Sequence, residues 1–224
     1  VKKSQLNKTI RKLNNLPFIN NANIEQNVND NISDLTITID ENKKTGSFLA
    51  AASFSGDTGA GFSIGLKDYN ILGTGNELNS SFNLNTEQAR FDIKYSQYPL
   101  LNPNLRNDYL IFNQDQDYTN SFGYKTSNIG VGYNLNFQYS ENTNFSSGFK
   151  ISSIEGHNPI NNSLAVKNNI GSFEQLSLNL GIRYNTTNDM LYPTNDVLNK
   201  ISAELSPSDI SDYSYFKLRL SNDI

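Results

Sequence analysis

The chain has 224 residues, one His, one Met, no Cys, no Trp and a formal charge of −4, so a disulfide framework and a thiolate metal site are both excluded and no cofactor is expected. Hydrophobic residues make up 36%, mean hydropathy is −0.54, and no run of about eighteen apolar residues occurs, which excludes a transmembrane helix but not a β-barrel, whose strands turn only alternate side chains to lipid. Mild acidity without a basic cluster argues against nucleic acid as a partner.

Val1-Lys2-Lys3-Ser4-Gln5 leads into a polar helix and not into an apolar targeting segment. The first residues are therefore expected to lie inside a longer gene product, and the other end, 217–224, to stop within or just after a strand. Leu6, Ile10 and Leu13 follow i, i+4, i+7 spacing with Lys8, Arg11 and Lys12 on other faces, which predicts one amphipathic helix near 4–15, ending before Pro17. Ala22 to Val28 reads as a strand, Asn29-Asp30-Asn31 as a turn, and Leu35, Ile37 and Ile39 alternate with Thr36, Thr38 and Asp40 in a second strand.

From Thr45 onward helical periodicity gives way to short alternating segments separated by Gly, Asn, Asp and Pro. The clearest places Ile129, Val131, Tyr133, Leu135, Phe137 and Tyr139 on one face and Asn128, Gly130, Gly132, Asn134, Asn136 and Gln138 on the other. Leu176, Leu178, Leu180, Ile182 and Tyr184 repeat it against Ser177, Asn179, Gly181 and Arg183, and Phe91, Ile93 and Tyr95 stand against Arg90, Asp92, Lys94 and Ser96. Weaker examples run through 47–55, 60–68, 77–85, 107–114, 143–154, 197–205 and 212–220.

These segments suit a wide barrel with a wet lumen. A soluble sandwich or solenoid would alternate in the same way with its apolar face on a core, so periodicity alone fits both. Two features favour the membrane. Tyr69, Tyr95, Tyr98, Tyr124, Tyr139, Tyr184 and Tyr192 often lie at segment ends, as interfacial aromatic girdles do. Short turns such as Gly56-Asp57-Thr58-Gly59 also alternate with longer polar loops such as 155–173. On a barrel reading Phe62, Ile64, Leu66, Ile129, Val131, Leu135, Leu178 and Leu180 face lipid, while Arg90, Asp92, Lys94 and Asn134 face the lumen. Loops 56–59, 115–127 and 155–173 are then extracellular, and 73–76, 99–104 and 185–196 periplasmic.

Residues that resemble chemical motifs have plainer readings. Gly73-Thr74-Gly75 begins like a dinucleotide fingerprint, but Leu78 sits at the third glycine's place and no strand-to-helix unit surrounds it. Asp115-Gln116-Asp117-Tyr118-Thr119-Asn120 echoes a calcium loop, yet Thr126 stands where a bidentate Glu is needed, so a solvated loop is expected. His157 lies in the loop-like Glu155-Gly156-His157-Asn158-Pro159 with no second His or Cys to complete a site. Asn79-Ser80-Ser81 matches a glycosylation acceptor inside a predicted strand. No catalytic constellation is found, and no enzyme is expected.

Four phrases resemble one family in order and spacing. Asp68-Tyr69-Asn70-Ile71-Leu72-Gly73-Thr74-Gly75 is similar to the signature that closes the second barrel strand of BamA-type outer-membrane assembly factors, the bacterial surface antigen family. Lys44-Thr45-Gly46-Ser47-Phe48 resembles the junction between the last POTRA strand and the first barrel strand. Leu13 to Ala22 is similar to the final POTRA helix and the turn after it, with Pro17 in place of a glycine. Asn188 to Asp196 resembles the turn carrying a Pro-Thr-Asp/Asn-Gly motif, here Pro193-Thr194-Asn195-Asp196.

The resemblance implies a mainly β fold. An antiparallel transmembrane β-barrel, represented by about ten strands over 45–224, follows a small α+β POTRA remnant over 1–44. It also implies outer-membrane localisation with the N-terminal portion in the periplasm, client outer-membrane proteins as partners, and lipoproteins and chaperones engaged through the POTRA region. Asn70, Gly73, Gly75, Pro193 and Thr194 are its turn positions. The related two-partner and TamA-type secretion porins share this architecture, whereas a plain porin or receptor lacks the POTRA-like start. The resemblance further makes Gly46, Ser47, Phe48, Leu49, Ala50, Ala51, Ala52, Ser53 and Phe54 a lateral-gate strand that accepts a client's terminal strand. The run Gly46 to Ser55 has no Pro and no charge, so the usual guards of an edge are missing. The plainer reading is an ordinary paired strand whose alanines suit a crowded lumen.

Overall fold

The structure, a computed structural model, describes residues 3–29, 32–56, 59–99, 102, 104–120, 122–157, 164–168, 170–186 and 197–223. Helix α1 (Lys3–Asn14) half-buries Leu6, Ile10 and Leu13 and leaves Arg11 exposed, as the 3.6-residue spacing requires. Its last residue latches the next strand: the Asn14 carboxamide accepts from the Ala22 N–H at 2.7 Å and donates to the Ala22 carbonyl at 3.4 Å. Strands β1 (Ile19–Asn29) and β2 (Ile32–Glu41) form an antiparallel hairpin with Ile24 opposite Ile37.

The alternating segments become ten strands: β3 (Gly46–Ser55), β4 (Gly59–Asp68), β5 (Glu77–Leu84), β6 (Gln88–Gln97), β7 (Leu105–Asp117), β8 (Lys125–Gln138), β9 (Thr143–His157), β10 (Gly171–Asn185), β11 (Leu198–Ser206) and β12 (Tyr215–Asp223). Each pairs antiparallel with its sequence neighbour in a single meander whose edges are β3 and β12. Most are long enough to cross a bilayer, which takes about 9–11 residues of tilted strand.

Register sorts the side chains by face, because residues directly opposite one another share a face. Ile93, Ile111, Val131, Ile151 and Leu176 form one continuous apolar row. On the other face Ser96, Asp108, Asn134, Gly148, Asn179 and Glu204 form a polar row. Phe62, Ile64, Leu66, Leu135, Leu178 and Leu180 belong to the apolar face, and Arg90, Asp92 and Lys94 to the polar one.

Burial decides between sandwich and barrel. Among the described residues the buried hydrophobic side chains are Ile19 and Ala22, both in the α1–β2 unit, while the buried residues of the large sheet and its connections are glycine or polar, the polar ones including Ser96, Asp108, Ser152 and Ser177. Ile129 and Leu180 remain 58% and 62% exposed. A soluble sandwich buries its apolar face, whereas a sheet with its polar face inside and its greasy face outside needs lipid as the outer solvent. An outward row of aromatic rings, Tyr95, Tyr109, Tyr133 and Phe149, runs across four strands with centroids 5.4–6.2 Å apart.

Several boundaries differ from the sequence reading. The loop expected over 115–127 shrinks to 118–124, because β7 runs to Asp117 and β8 starts at Lys125, where the two side chains pair at 2.6 Å. The calcium-like run is therefore half strand. His157 closes β9 opposite Lys125 instead of lying in a loop. The segment expected over 155–173 likewise loses its ends to β9 and β10, and Leu164–Lys167 within it is a short helix, α2. The last strand begins at Tyr215 and not near 212.

Candidate functional site

Strand β3 pairs with β4 in full register, from Gly46 opposite Asp68 to Ser55 opposite Gly59, and among the described residues no strand lies on its other side. All ten of its residues are exposed. An antiparallel strand directs alternate backbone groups to opposite sides, so an edge strand offers half of its N–H and C=O groups outward. Phe48, Ala50, Ala52 and Phe54 share the apolar face with Leu66, Ile64, Phe62 and Ala60, while Ser47, Leu49, Ala51 and Ser53 lie on the luminal face.

The luminal face of the β3–β4 pair is nearly bare. Ser53 stands opposite Gly61, Leu49 opposite Gly65 and Ser55 opposite Gly59. Cross-strand side-chain pairs supply much of a sheet's lateral stability, about 0.2–1 kcal/mol each. Here glycine removes one partner of three pairs, which leaves the hairpin held chiefly by its main-chain ladder and by its outer face.

Its base is fastened more firmly. One carboxylate oxygen of Asp68 accepts from the Thr45 hydroxyl at 2.7 Å and from the Asn70 N–H at 3.0 Å. The Asn70 side chain in turn accepts from the Gly75 N–H at 2.6 Å, and its carbonyl accepts from the Gly73 N–H at 2.9 Å. Asn76 extends the network by accepting from the Tyr98 N–H at 2.9 Å. Gly73 and Gly75 have φ of +72° and +71°, a region open to Gly and strained for other residues. Leu72, at φ 55° and 92% exposed, accepts that strain. Lys67 pairs with Glu77 at 3.3 Å and lies over the Tyr69 ring. A Cβ at Gly75 would touch the Phe18 ring, so the turn abuts the α1–β2 unit.

The structure thus joins the predicted edge strand to Asn70, Gly73 and Gly75 through Thr45 and Asp68. Pro193 and Thr194 lie outside the described residues. Sequence reasoning missed Asp108, the centre of a luminal cluster: it accepts from Ser96 Oγ at 2.7 Å, from Arg106 Nη2 and Asn136 Nδ2 at 3.0 Å each, and lies 3.7 Å from Lys94 Nζ. A single acid among polar neighbours in 107–114 was the signal available.

The sequence model of the Omp85 superfamily domain matches residues 70–222. No curated protein sequence matches the chain. Among solved structures, BamA from Haemophilus ducreyi lacking POTRA domains 1–3 is similar with a TM-score of 0.70 at 21% identity, over 97% of this chain and 44% of that one. CdiB from Acinetobacter baumannii is similar with a TM-score of 0.57 at 16% identity, over 99% of this chain and 43% of the other. The chain thus spans less than half the length of either and shares with them the fold of an outer-membrane β-barrel.

Proposed function

The chain belongs to the Omp85 superfamily, and from that premise we propose that it is part of an outer-membrane assembly factor that folds and inserts client barrel proteins by templating their strands on β3. The observation that carries this reading is the composition of β3: of the two edge strands among the described residues, β3 is uncharged and free of proline, whereas β12 carries Lys217 and Arg219. Main-chain hydrogen bonds of an edge add a further strand whatever its side chains, which suits a catalyst serving many sequences. The bare luminal face of β3–β4 favours opening of a seam there, and the Thr45–Asp68–Asn70 fastening keeps the base of the hairpin in place.

On this reading residues 1–44 are the end of the last POTRA domain and 45–224 the first part of the barrel. The α1–β2 unit lies in the periplasm, where it meets lipoproteins and chaperones of the assembly complex, and the turns 69–76, 98–104 and 139–142 face the same side. The partners are unfolded outer-membrane proteins and outer-membrane lipid, and no covalent chemistry takes part. A second reading, a related POTRA-barrel secretion porin, draws on the likeness to CdiB.

The direct test places a guard on the edge. Ala51→Lys adds an inward-pointing charge without burdening the lipid face. In the full-length protein it is expected to leave the barrel folded and membrane-inserted while abolishing client assembly. Normal client assembly by a folded Ala51→Lys protein would overturn the proposal.

A further inference from the structure

The chain carries a net negative charge, yet one stretch of its luminal wall is basic. Three hollows on the polar face, of about 470, 330 and 270 Å³, adjoin one another. The first shares Ser146, Gly181 and Ser202 with the second, and the second shares Lys150 and Asn179 with the third. Together they make a trough across β6 to β12. Its charged lining is six basic side chains, Lys94, Arg106, Lys150, Arg183, Lys200 and Arg219, against two acids, Asp108 and Glu204.

The two acids are already engaged. Asp108 meets Arg106 and Lys94, and Glu204 meets Arg219 at 3.9 Å. None of the ion pairs among the described residues includes Lys150, Arg183 or Lys200. Arg183 and Lys200 stand directly opposite each other in the β10–β11 ladder, an arrangement that destabilises a sheet unless an anion lies between or over the two charges. Glycine keeps the floor low at Gly132, Gly148 and Gly181, luminal positions of β8, β9 and β10: no side chain rises from them, although neighbouring side chains lie close over Gly148 and Gly181.

We infer that this luminal trough binds an extended acidic segment of polypeptide. Lys150 stands opposite Ser177 and Lys200 opposite Arg183, six residues further along β10, so with two strand spacings between β9 and β11 the two cations lie about 20–25 Å apart and about seven residues of extended chain cover that span. Along the same wall Asn134, Asn136 and Asn179 bond to one another and to Asp108, and the second N–H and lone pair that each carboxamide keeps, with Asn144 beside them, donate to and accept from a peptide backbone. Carboxylates at alternate positions of such a segment point to one side and meet the cations, while its main chain meets the amides. The inference is independent of strand templating at β3, which uses the sheet's edge and not its concave face.

The test is fluorescence anisotropy on the purified full-length protein in detergent, with a fluorescein-labelled peptide of alternating Asp and Ser, about ten residues long to exceed the trough. The same peptide with Asn for Asp is the neutral probe. The acidic probe should bind, the neutral one should not, and salt should weaken binding by screening. R183Q/K200Q should weaken it by at least about tenfold, since both unpaired charges are lost. K125Q, at the rim and on the outer face, should leave it unchanged, and R183K/K200R, which keeps both charges, should retain it. R183Q/K200Q relieves a like-charge pair, so its folding, read by heat-modifiable gel mobility, is expected to be intact. Equal affinity for both probes, no binding of the acidic probe, undiminished binding by folded R183Q/K200Q, or loss with R183K/K200R would each overturn the inference.

Discussion

Asn134 on β8 and Asn179 on β10 hydrogen-bond to each other at 2.9 Å although β9 lies between them. The residue of β9 in that row is Gly148, opposite Asn134 on one side and Asn179 on the other. Without a side chain at Gly148 the two carboxamides meet over it, and the sheet is tied across three strands on its luminal face. Tyr215 makes a similar link two strands away, its hydroxyl 3.0 Å from Ser177 Oγ of β10. Both contacts fit a concave polar face.

Gly148 is therefore a position where a small change is costly. A Cβ there would collide with the Tyr133 carbonyl and come within 2.6 Å of Asn134 Oδ1. Gly148→Ala is expected to destabilise the full-length barrel by about 1–3 kcal/mol through overpacking, read as a lower urea midpoint in detergent. An unchanged midpoint would show that β9 shifts freely.

Ile129 tests the assignment of faces. It lies on the apolar face of β8, opposite Asn113 and Ser153, and is 58% exposed. Ile129→Arg should cost up to about 2–4 kcal/mol, depending on its depth in the bilayer, and should lower the membrane-inserted fraction. Asn134→Gln, on the luminal face of the same strand, should not. Equal insertion of Ile129→Arg and wild type would count against a lipid-facing Ile129.

Leu72 sits at φ 55°, where an L side chain costs about 1–2 kcal/mol. Leu72→Gly removes that cost and gives back part of it as unfolded-state entropy, for a net gain of up to about 1 kcal/mol. A lower urea midpoint for Leu72→Gly would mean that the exposed side chain has a partner in the full-length protein.

Sidedness follows from the alternation of hairpins. The turn 207–214 shares an end with 118–124, and Asn102 lies at the end that carries the α1–β2 unit. Single Cys residues at Ser208 and Asn102 in whole cells, treated with an impermeant maleimide, should label at position 208 alone. Label at 102 alone would invert the topology.

Alternation made the strands legible where apolar and polar residues strictly exchange, as in β8 and β10. It failed at their ends, where polar pairs continue the ladder beyond the apolar band: the ion pair of Asp117 with Lys125, and the Ser127 hydroxyl donating to Asp115 at 2.6 Å. Polarity there reads as loop, although outward polar residues are what a strand needs once it leaves lipid. The start of β12 was misplaced for a tertiary reason. Tyr213 is drawn into the preceding turn by its bond to the Asn168 carbonyl and its packing on Phe173 at 4.8 Å. The edge position of β3 came from resemblance and from the missing guards, and the local sequence agreed. The luminal row of Asp108, Asn134, Gly148 and Asn179 was not legible, because cross-strand register depends on connections whose lengths the periodicity does not fix.

The central claim is that β3 accepts a client strand, and site-specific crosslinking measures it most directly. Single Cys residues at Leu49, Ala51 and Ser53 of the full-length protein are paired with a stalled barrel substrate carrying Cys along its last strand. Strand addition predicts disulfides that step by two client residues for each step of two along β3, from Leu49 to Ala51 to Ser53, because directly opposed residues share a face. Equal or absent crosslinking along β3, with a clear signal from Cys residues along β8, would contradict it.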